Sequence, residues 1–184
     1  KPVVGYQSGM ISTFGGYDDQ FVGASEIIYD NGDVALGGPL QQSYGRQVTG
    51  GKNEYIFNIG ANISDFVYLG ANLGMTSINY DYNEYFREVA ADPADFEIVF
   101  DNGNAIYFDE MVYKYSYAAT GNGYFAKFGA IVTPGHGLRI GAAIQTPVST
   151  RITEEWNYAG ETNFTDPKYN SSANSPYGND SYDF

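Results

Sequence analysis

Four stretches of the chain alternate apolar residues with small or polar ones in period two. In 55–63, Tyr55, Phe57, Ile59, Ala61 and Ile63 alternate with Ile56, Asn58, Gly60 and Asn62. In 66–76, Leu69, Ala71, Leu73 and Met75 alternate with Gly70, Asn72, Gly74 and Thr76. In 122–133, Tyr124, Ala126, Phe128, Ala130 and Val132 alternate with Phe125, Lys127, Gly129 and Ile131. In 138–150, Leu138, Ile140, Ala142 and Ile144 alternate with Arg139, Gly141, Ala143 and Gln145. Successive side chains of a strand point to opposite faces, so each window predicts a strand with one apolar face. The other face collects Asn58, Asn62, Asn72, Lys127, Arg139 and Gln145.

The connections predict antiparallel pairing. Asn62-Ile63-Ser64-Asp65-Phe66 and Pro134-Gly135-His136-Gly137 read as tight turns. Between the two hairpins they close lies a long acidic, Tyr-rich loop, 81–112. Residues 158–184 read as a second polar loop. Residues 1–42 form a loop-rich entry, with Gly15-Gly16, Asp30-Asn31-Gly32-Asp33 and Gly37-Gly38-Pro39 as breakers; Val3 to Phe14 suits a short helix or an irregular strand. The expected fold is all-β and antiparallel, with short turns on one side, long loops on the other and about four to six strands. The hairpins occupy 43–157 within a single segment, 1–184.

Composition sharpens this picture. The 184 residues include 18 Tyr, 12 Phe and 23 Gly, which suits pleated surfaces and turns. Nine Lys and Arg against 22 Asp and Glu give a net charge of -13, which argues against nucleic acid as a partner. There is no cysteine and one histidine, so disulfides, thiolate metal sites and His clusters drop out, and no metal or cofactor is expected. A mean hydropathy of -0.33 does not exclude membrane strands, whose two faces average out. Lys1-Pro2-Val3-Val4 does not read as a signal peptide.

Charge placement carries more information than its total. None of the 22 carboxylates falls within the four windows, and Asp65 lies in the turn between the first two. Lys127 and Arg139 are the charges inside them. A strand facing water would carry charge on its outward side; these windows suit strands in lipid. From Glu110 to Thr133 the pattern exceeds the roughly 9–11 residues of a tilted membrane strand.

The run Asn58-Ile59-Gly60-Ala61-Asn62-Ile63-Ser64-Asp65-Phe66-Val67-Tyr68-Leu69-Gly70-Ala71-Asn72-Leu73-Gly74 resembles a hairpin of the FadL-like outer-membrane transport proteins, especially their Bacteroidetes branch. Gly121-Asn122-Gly123-Tyr124-Phe125-Ala126-Lys127-Phe128-Gly129-Ala130-Ile131-Val132-Thr133-Pro134 resembles the next upward strand. Leu138-Arg139-Ile140-Gly141-Ala142-Ala143-Ile144-Gln145-Thr146-Pro147 resembles the strand after it. The resemblance covers about 50–150. It implies part of a transmembrane β-barrel, 14-stranded in that family and plugged by a hatch whose Asn-Pro-Ala signature this sequence lacks. The chain then reads as an internal piece of such a barrel. The implied function is passive transport of hydrophobic small molecules such as long-chain fatty acids across the bacterial outer membrane, without enzyme activity. The implied partners are a hydrophobic small-molecule ligand, outer-membrane lipid, and the remaining strands and hatch. Some relatives carry a hemin-receptor label, but no axial haem ligand is evident here.

Candidate ligand and lumen-lining residues are Lys127, Arg139, Asn58, Asn72 and Gln145, the two cations suiting a ligand carboxylate or a lumen charge network. Tyr80, Tyr82 and Tyr85 could form a loop surface that captures a lipid. Tyr55, Tyr68, Tyr113, Tyr115 and Tyr117 suit an interfacial aromatic girdle. No catalytic constellation is present. His136 sits in a Gly-flanked turn, and Glu154 and Glu155 face opposite ways. Asp30-Asn31-Gly32-Asp33 and Asp101-Asn102-Gly103-Asn104 lack the spacing of a calcium loop. Gly121-Asn122-Gly123 precedes a strand, not a helix, so a dinucleotide site fails on context. The alternative from another class is a soluble extracellular β-sandwich that binds glycans through exposed tyrosines.

Overall fold

A computed structural model describes residues 2–13, 20–29, 31–100 and 102–184. Gly15-Gly16, and the Asp30 and Asp101 of the two calcium-like stretches, lie outside the described residues. The elements in chain order are α1 (Pro2–Gln7), β1 (Ile11–Thr13), β2 (Phe21–Gly23), β3 (Glu26–Ile28), β4 (Val34–Leu36), β5 (Leu40–Ile63), β6 (Val67–Ala90), β7 (Glu97–Val99), β8 (Ala105–Gly135), β9 (Leu138–Gln145), β10 (Ser149–Phe164), β11 (Ser171–Asn174) and β12 (Gly178–Asp183). The main sheet runs β11-β10-β8-β6-β5; β12 pairs with β10, and β7 and β9 pair with β8. Two small hairpins, β1-β2 and β3-β4, stand apart from it. The chain is all-β and antiparallel, as expected.

The strands are longer, and more of them form, than the pattern predicts. The expected loop 81–112 is mostly strand: β6 continues to Ala90 and β8 starts at Ala105. Between them lie a 3-10 turn capped by the Asp92 side chain and the short β7. The expected entry loop holds α1 and four short strands, and the expected polar loop 158–184 holds the end of β10 with β11 and β12. The reason lies in contacts between strands. These extensions carry Tyr–Glu and Arg–Glu partners across strands instead of an apolar stripe, so a search keyed to apolar alternation passes over them. The chain divides into two compact units.

The first unit comprises 1–48, 82–117 and 156–178. Its core gathers Ala24, Ala90, Phe96, Ile106, Phe108 and Phe164, with Leu40, Ile98, Met111 and Tyr169 against it. Phe96 and Phe108 are fully buried and meet edge to face, centroids 5.8 Å apart; such pairs add about 0.5–1.5 kcal/mol beyond area burial. Charged cross-strand contacts extend the ladder. Gln42 donates to Glu88 at 2.5 Å, Tyr44 to Glu84 at 3.1 Å, and Arg87 to Glu110 at 2.6 Å.

The second unit comprises 49–81, 118–155 and 179–184. Its turn at 63–66 is closed by the Phe66 N–H donating to the Ile63 carbonyl at 3.2 Å. Ser64 and Asp65 both have positive φ, 57° and 56°, which side chains other than glycine rarely adopt. Local hydrogen bonds hold them there. Asn62 Oδ1 accepts from the Asp65 N–H at 3.0 Å, and Thr133 Oγ1 donates to the Asp65 carbonyl at 2.7 Å. The second predicted turn is also present, with Gly135, His136 and Gly137 all at positive φ. Pro147 lacks an N–H, and β9 and β10 are separated there. Thr146 bridges the gap, its Oγ1 accepting from the Ala126 N–H at 3.0 Å.

Register decides which side chains share a face. Lys127 pairs with Gln145, Phe128 with Ile144 and Gly129 with Ala143. In that pairing Gly129 abuts the carbonyl of Ala142, one residue before its partner. Gly60 abuts the Leu69 carbonyl and Gly70 the Ile59 carbonyl in the same way, so Gly60 pairs with Gly70 and Asn58 with Asn72. The Phe125 ring stands over Gly74, which puts the even positions of β6 with the odd ones of β8. One face of this unit therefore carries Asn58, Asn72, Lys127 and Gln145. The other carries Phe57, Ile59, Leu69, Leu73, Phe128, Ile140 and Ile144.

Candidate functional site

The lysine-bearing face has a built centre. Gly74, Thr76, Gly121, Gly123 and Phe125 are all buried there, and the glycines leave room for neighbouring side chains. The Lys127 ammonium lies 5.0 Å from the centre of the Phe125 ring, a cation–π contact that holds it on this face. An open hollow of about 540 Å³ beside it is floored by Gly70, Gly129 and Ala143 and walled by Tyr68, Asn72, Lys127 and Ile131. Among the described residues neither Lys127 nor Arg139 pairs with a carboxylate; the ion pairs are Lys52–Glu54, Arg87–Glu110 and Arg151–Asp183.

The five predicted lining residues do not converge. Asn72, Lys127 and Gln145 lie side by side on three strands, with Asn58 next to Asn72. Arg139 shares their face by alternation along β9. It stands six positions from Gln145, the partner of Lys127, so about 20 Å away at roughly 3.4 Å per residue. One ligand carboxylate cannot touch both cations.

The opposite face is apolar and open around Leu69, Leu73, Phe128 and Ile140, and further along β8 it carries Asn122 and Tyr124 beside the exposed Arg151–Asp183 pair. Leu69, Leu73, Phe128 and Ile140 are 45%, 65%, 54% and 56% exposed, and no charged side chain stands among them.

The tyrosines divide by face. Tyr80 and Tyr82 lie on one face of β6 and Tyr85 on the other, where its ring fills the space over Gly45. All three are on a strand and not in a loop. Tyr82 joins a cluster that sequence reading assigned to a girdle: Tyr113 and Tyr115 stack on Tyr158 at 6.3 and 4.7 Å, and Tyr82 meets Tyr115 at 5.9 Å. The spacing 113, 115, 117 was the available signal, since alternate tyrosines of one strand share a face. Glu84 accepts from both Tyr82 and Tyr44. That hydrogen bond holds the Tyr82 hydroxyl well above its ordinary range. Burial pushes Tyr113 up to about 12, and its hydroxyl has no hydrogen-bond partner among the described residues.

A second cavity, which the sequence did not reveal, lies in the first unit. It measures about 410 Å³ and draws its lining from several separate stretches of chain. Among the described residues no group of three or more His, Asp or Glu converges to hold a metal ion. Among the described residues no helix is long and apolar enough to cross a membrane, which says nothing about strands.

No protein-family model matches the sequence. No curated protein matches it either. Among solved structures, the membrane pore complex of pneumolysin is similar over 79% of this chain at 11% identity, with a TM-score of 0.19. The chain spans 45% of that neighbour's length. A likeness at that level carries no argument about function.

Proposed function

We propose that the chain is part of a transmembrane β-barrel of the outer membrane, similar to the FadL-like proteins, and that it carries hydrophobic small molecules such as long-chain fatty acids passively across. One observation carries the reading: the exposed, charge-free face around Leu69, Leu73, Phe128 and Ile140. Water disfavours a contiguous apolar surface of that kind, whereas lipid tails solvate it. The lysine-bearing face then lines the lumen, where Asn72, Lys127 and Gln145 offer one cation and two amides to a passing carboxylate. Arg139 acts elsewhere along the path. The remaining strands of the barrel pair with the free edge of β5. A soluble sandwich would need the apolar face covered by a second layer, and its large side chains are exposed.

Cells lacking their own long-chain fatty-acid transporter test this. Expression of the protein should restore uptake of labelled oleate, and the protein should fractionate with the outer membrane. Outer-membrane protein without restored uptake overturns transport; recovery in the soluble fraction overturns the membrane placement.

A further inference from the structure

We propose that the cavity of the first unit binds a small amphiphile that carries an ammonium group, in preference to one that carries a carboxylate. This goes beyond the transport reading, because the cavity and its charge stand whether or not the strands cross a membrane. Its volume of about 410 Å³ is within the usual range of small-molecule sites, about 300–1,000 Å³. The walls are apolar, with Val22, Ile27, Ile98, Ile106 and Phe164 among them, and Ile106 and Phe164 belong to the unit's buried core. A short alkyl or aryl tail is buried there by the hydrophobic effect alone.

Among the described residues, the charged groups of the lining are two carboxylates, Glu26 and Glu97. Each is oriented by one donor. The Gly23 N–H donates to Glu26 Oε2 at 2.6 Å, and the Tyr107 hydroxyl donates to Glu97 Oε1 at 3.2 Å. Neither has an ion-pair partner among the described residues. Arg87, in the same unit, is held by Glu110. Lys168 lies 5.2 Å from the ring centre of Tyr169, a lining residue, without itself lining the cavity. An ammonium has three donors and no acceptor, so it satisfies carboxylate oxygens with charge-assisted hydrogen bonds. A ligand carboxylate would instead meet like charge, in a chain whose net charge is -13.

The test compares octylammonium with octanoate, a pair matched in tail and opposite in charge. The full chain is titrated calorimetrically, in lipid nanodiscs against empty discs if it fractionates with membranes and in plain buffer if it does not, and the methyl resonances of Ile27, Ile98 and Ile106 report where binding occurs. Octylammonium should bind at least about tenfold more tightly than octanoate, a ratio that one or two charge-assisted hydrogen bonds supply. The double variant Glu26→Gln/Glu97→Gln should lose about tenfold for octylammonium and narrow the preference. Its amide oxygens can still accept from the Gly23 N–H and the Tyr107 hydroxyl, and unchanged methyl spectra without ligand check its fold. Equal or tighter binding of octanoate overturns the proposal, as does octylammonium binding that ignores both substitutions or leaves the three methyls unshifted. Octanoate binding abolished by Lys168→Gln would assign the cavity to anions. Absence of binding by either compound overturns it too. Oleate uptake in cells decides the transport reading separately.

Discussion

The ring of Phe125 occupies the space where a Cβ on Gly74 would stand. Phe125 is 6% exposed, so the ring has little room to retreat. Gly74→Ala should therefore cost about 1–3 kcal/mol, as overpacking does. Phe125→Leu in the same chain should recover part of that loss, measured as a coupling in a double-mutant cycle of denaturant unfolding. Simple additivity of the two changes would mean that the ring stands elsewhere.

Ala71 shares the open apolar face with Leu69 and Leu73. If lipid wets that face, Ala71→Arg at mid-bilayer depth should destabilise the folded protein by roughly 2–4 kcal/mol. The same change at Asn72, on the lysine-bearing face, should cost much less. Equal costs at the two neighbours, read by unfolding in lipid, would mean that the faces are misassigned.

Ser64 adopts a left-handed backbone without a glycine's freedom. Such a conformation costs an L-residue about 1–2 kcal/mol, offset for glycine by about 0.5–1 kcal/mol of chain entropy. Ser64→Gly should thus stabilise the hairpin by about 0.5–1 kcal/mol. Asp65→Gly should gain less, because it loses the carboxylate that receives the Asn62 side-chain amide. The midpoint of chemical denaturation reads both.

Tyr113 and Tyr82 should ionise late. Burial raises Tyr113 to about 12, and the carboxylate of Glu84 raises Tyr82 further. Because each folded-state value lies above the ordinary value near 10, what the two protonated hydroxyls contribute is complete below pH 10. For Tyr113 it is lost as pH rises from 10 through 12, because the unfolded chain releases that proton first. In a spectrophotometric titration, Tyr113→Phe should remove a component centred near pH 12, and Tyr82→Phe a later one. A removed component near pH 10 would place either hydroxyl in water.

Strand type and facing were legible because side chains alternate along any strand. Phe57, Leu73, Phe128 and Ile144 fall on one face, as their spacing required, and Asn72, Lys127 and Gln145 on the other. Both turns were legible from their own residues. The acidic extensions of β6 and β8 were not. Glu84 finds Tyr44 and Tyr82, and Arg87 finds Glu110, through pairings between separate strands that no local pattern announces.

The sequence by itself determined the all-β class, the two tight turns and the apolar stripe of the four alternating windows, since these follow from neighbours along the chain. Only the tertiary structure set Lys127 and Arg139 far apart, gathered Tyr82, Tyr113, Tyr115 and Tyr158, and assembled the cavity that holds Glu26 and Glu97. Each of these depends on register between strands or on the packing of distant segments. Hydrogen bonds and side-chain volumes fix that arrangement only when the whole sheet forms.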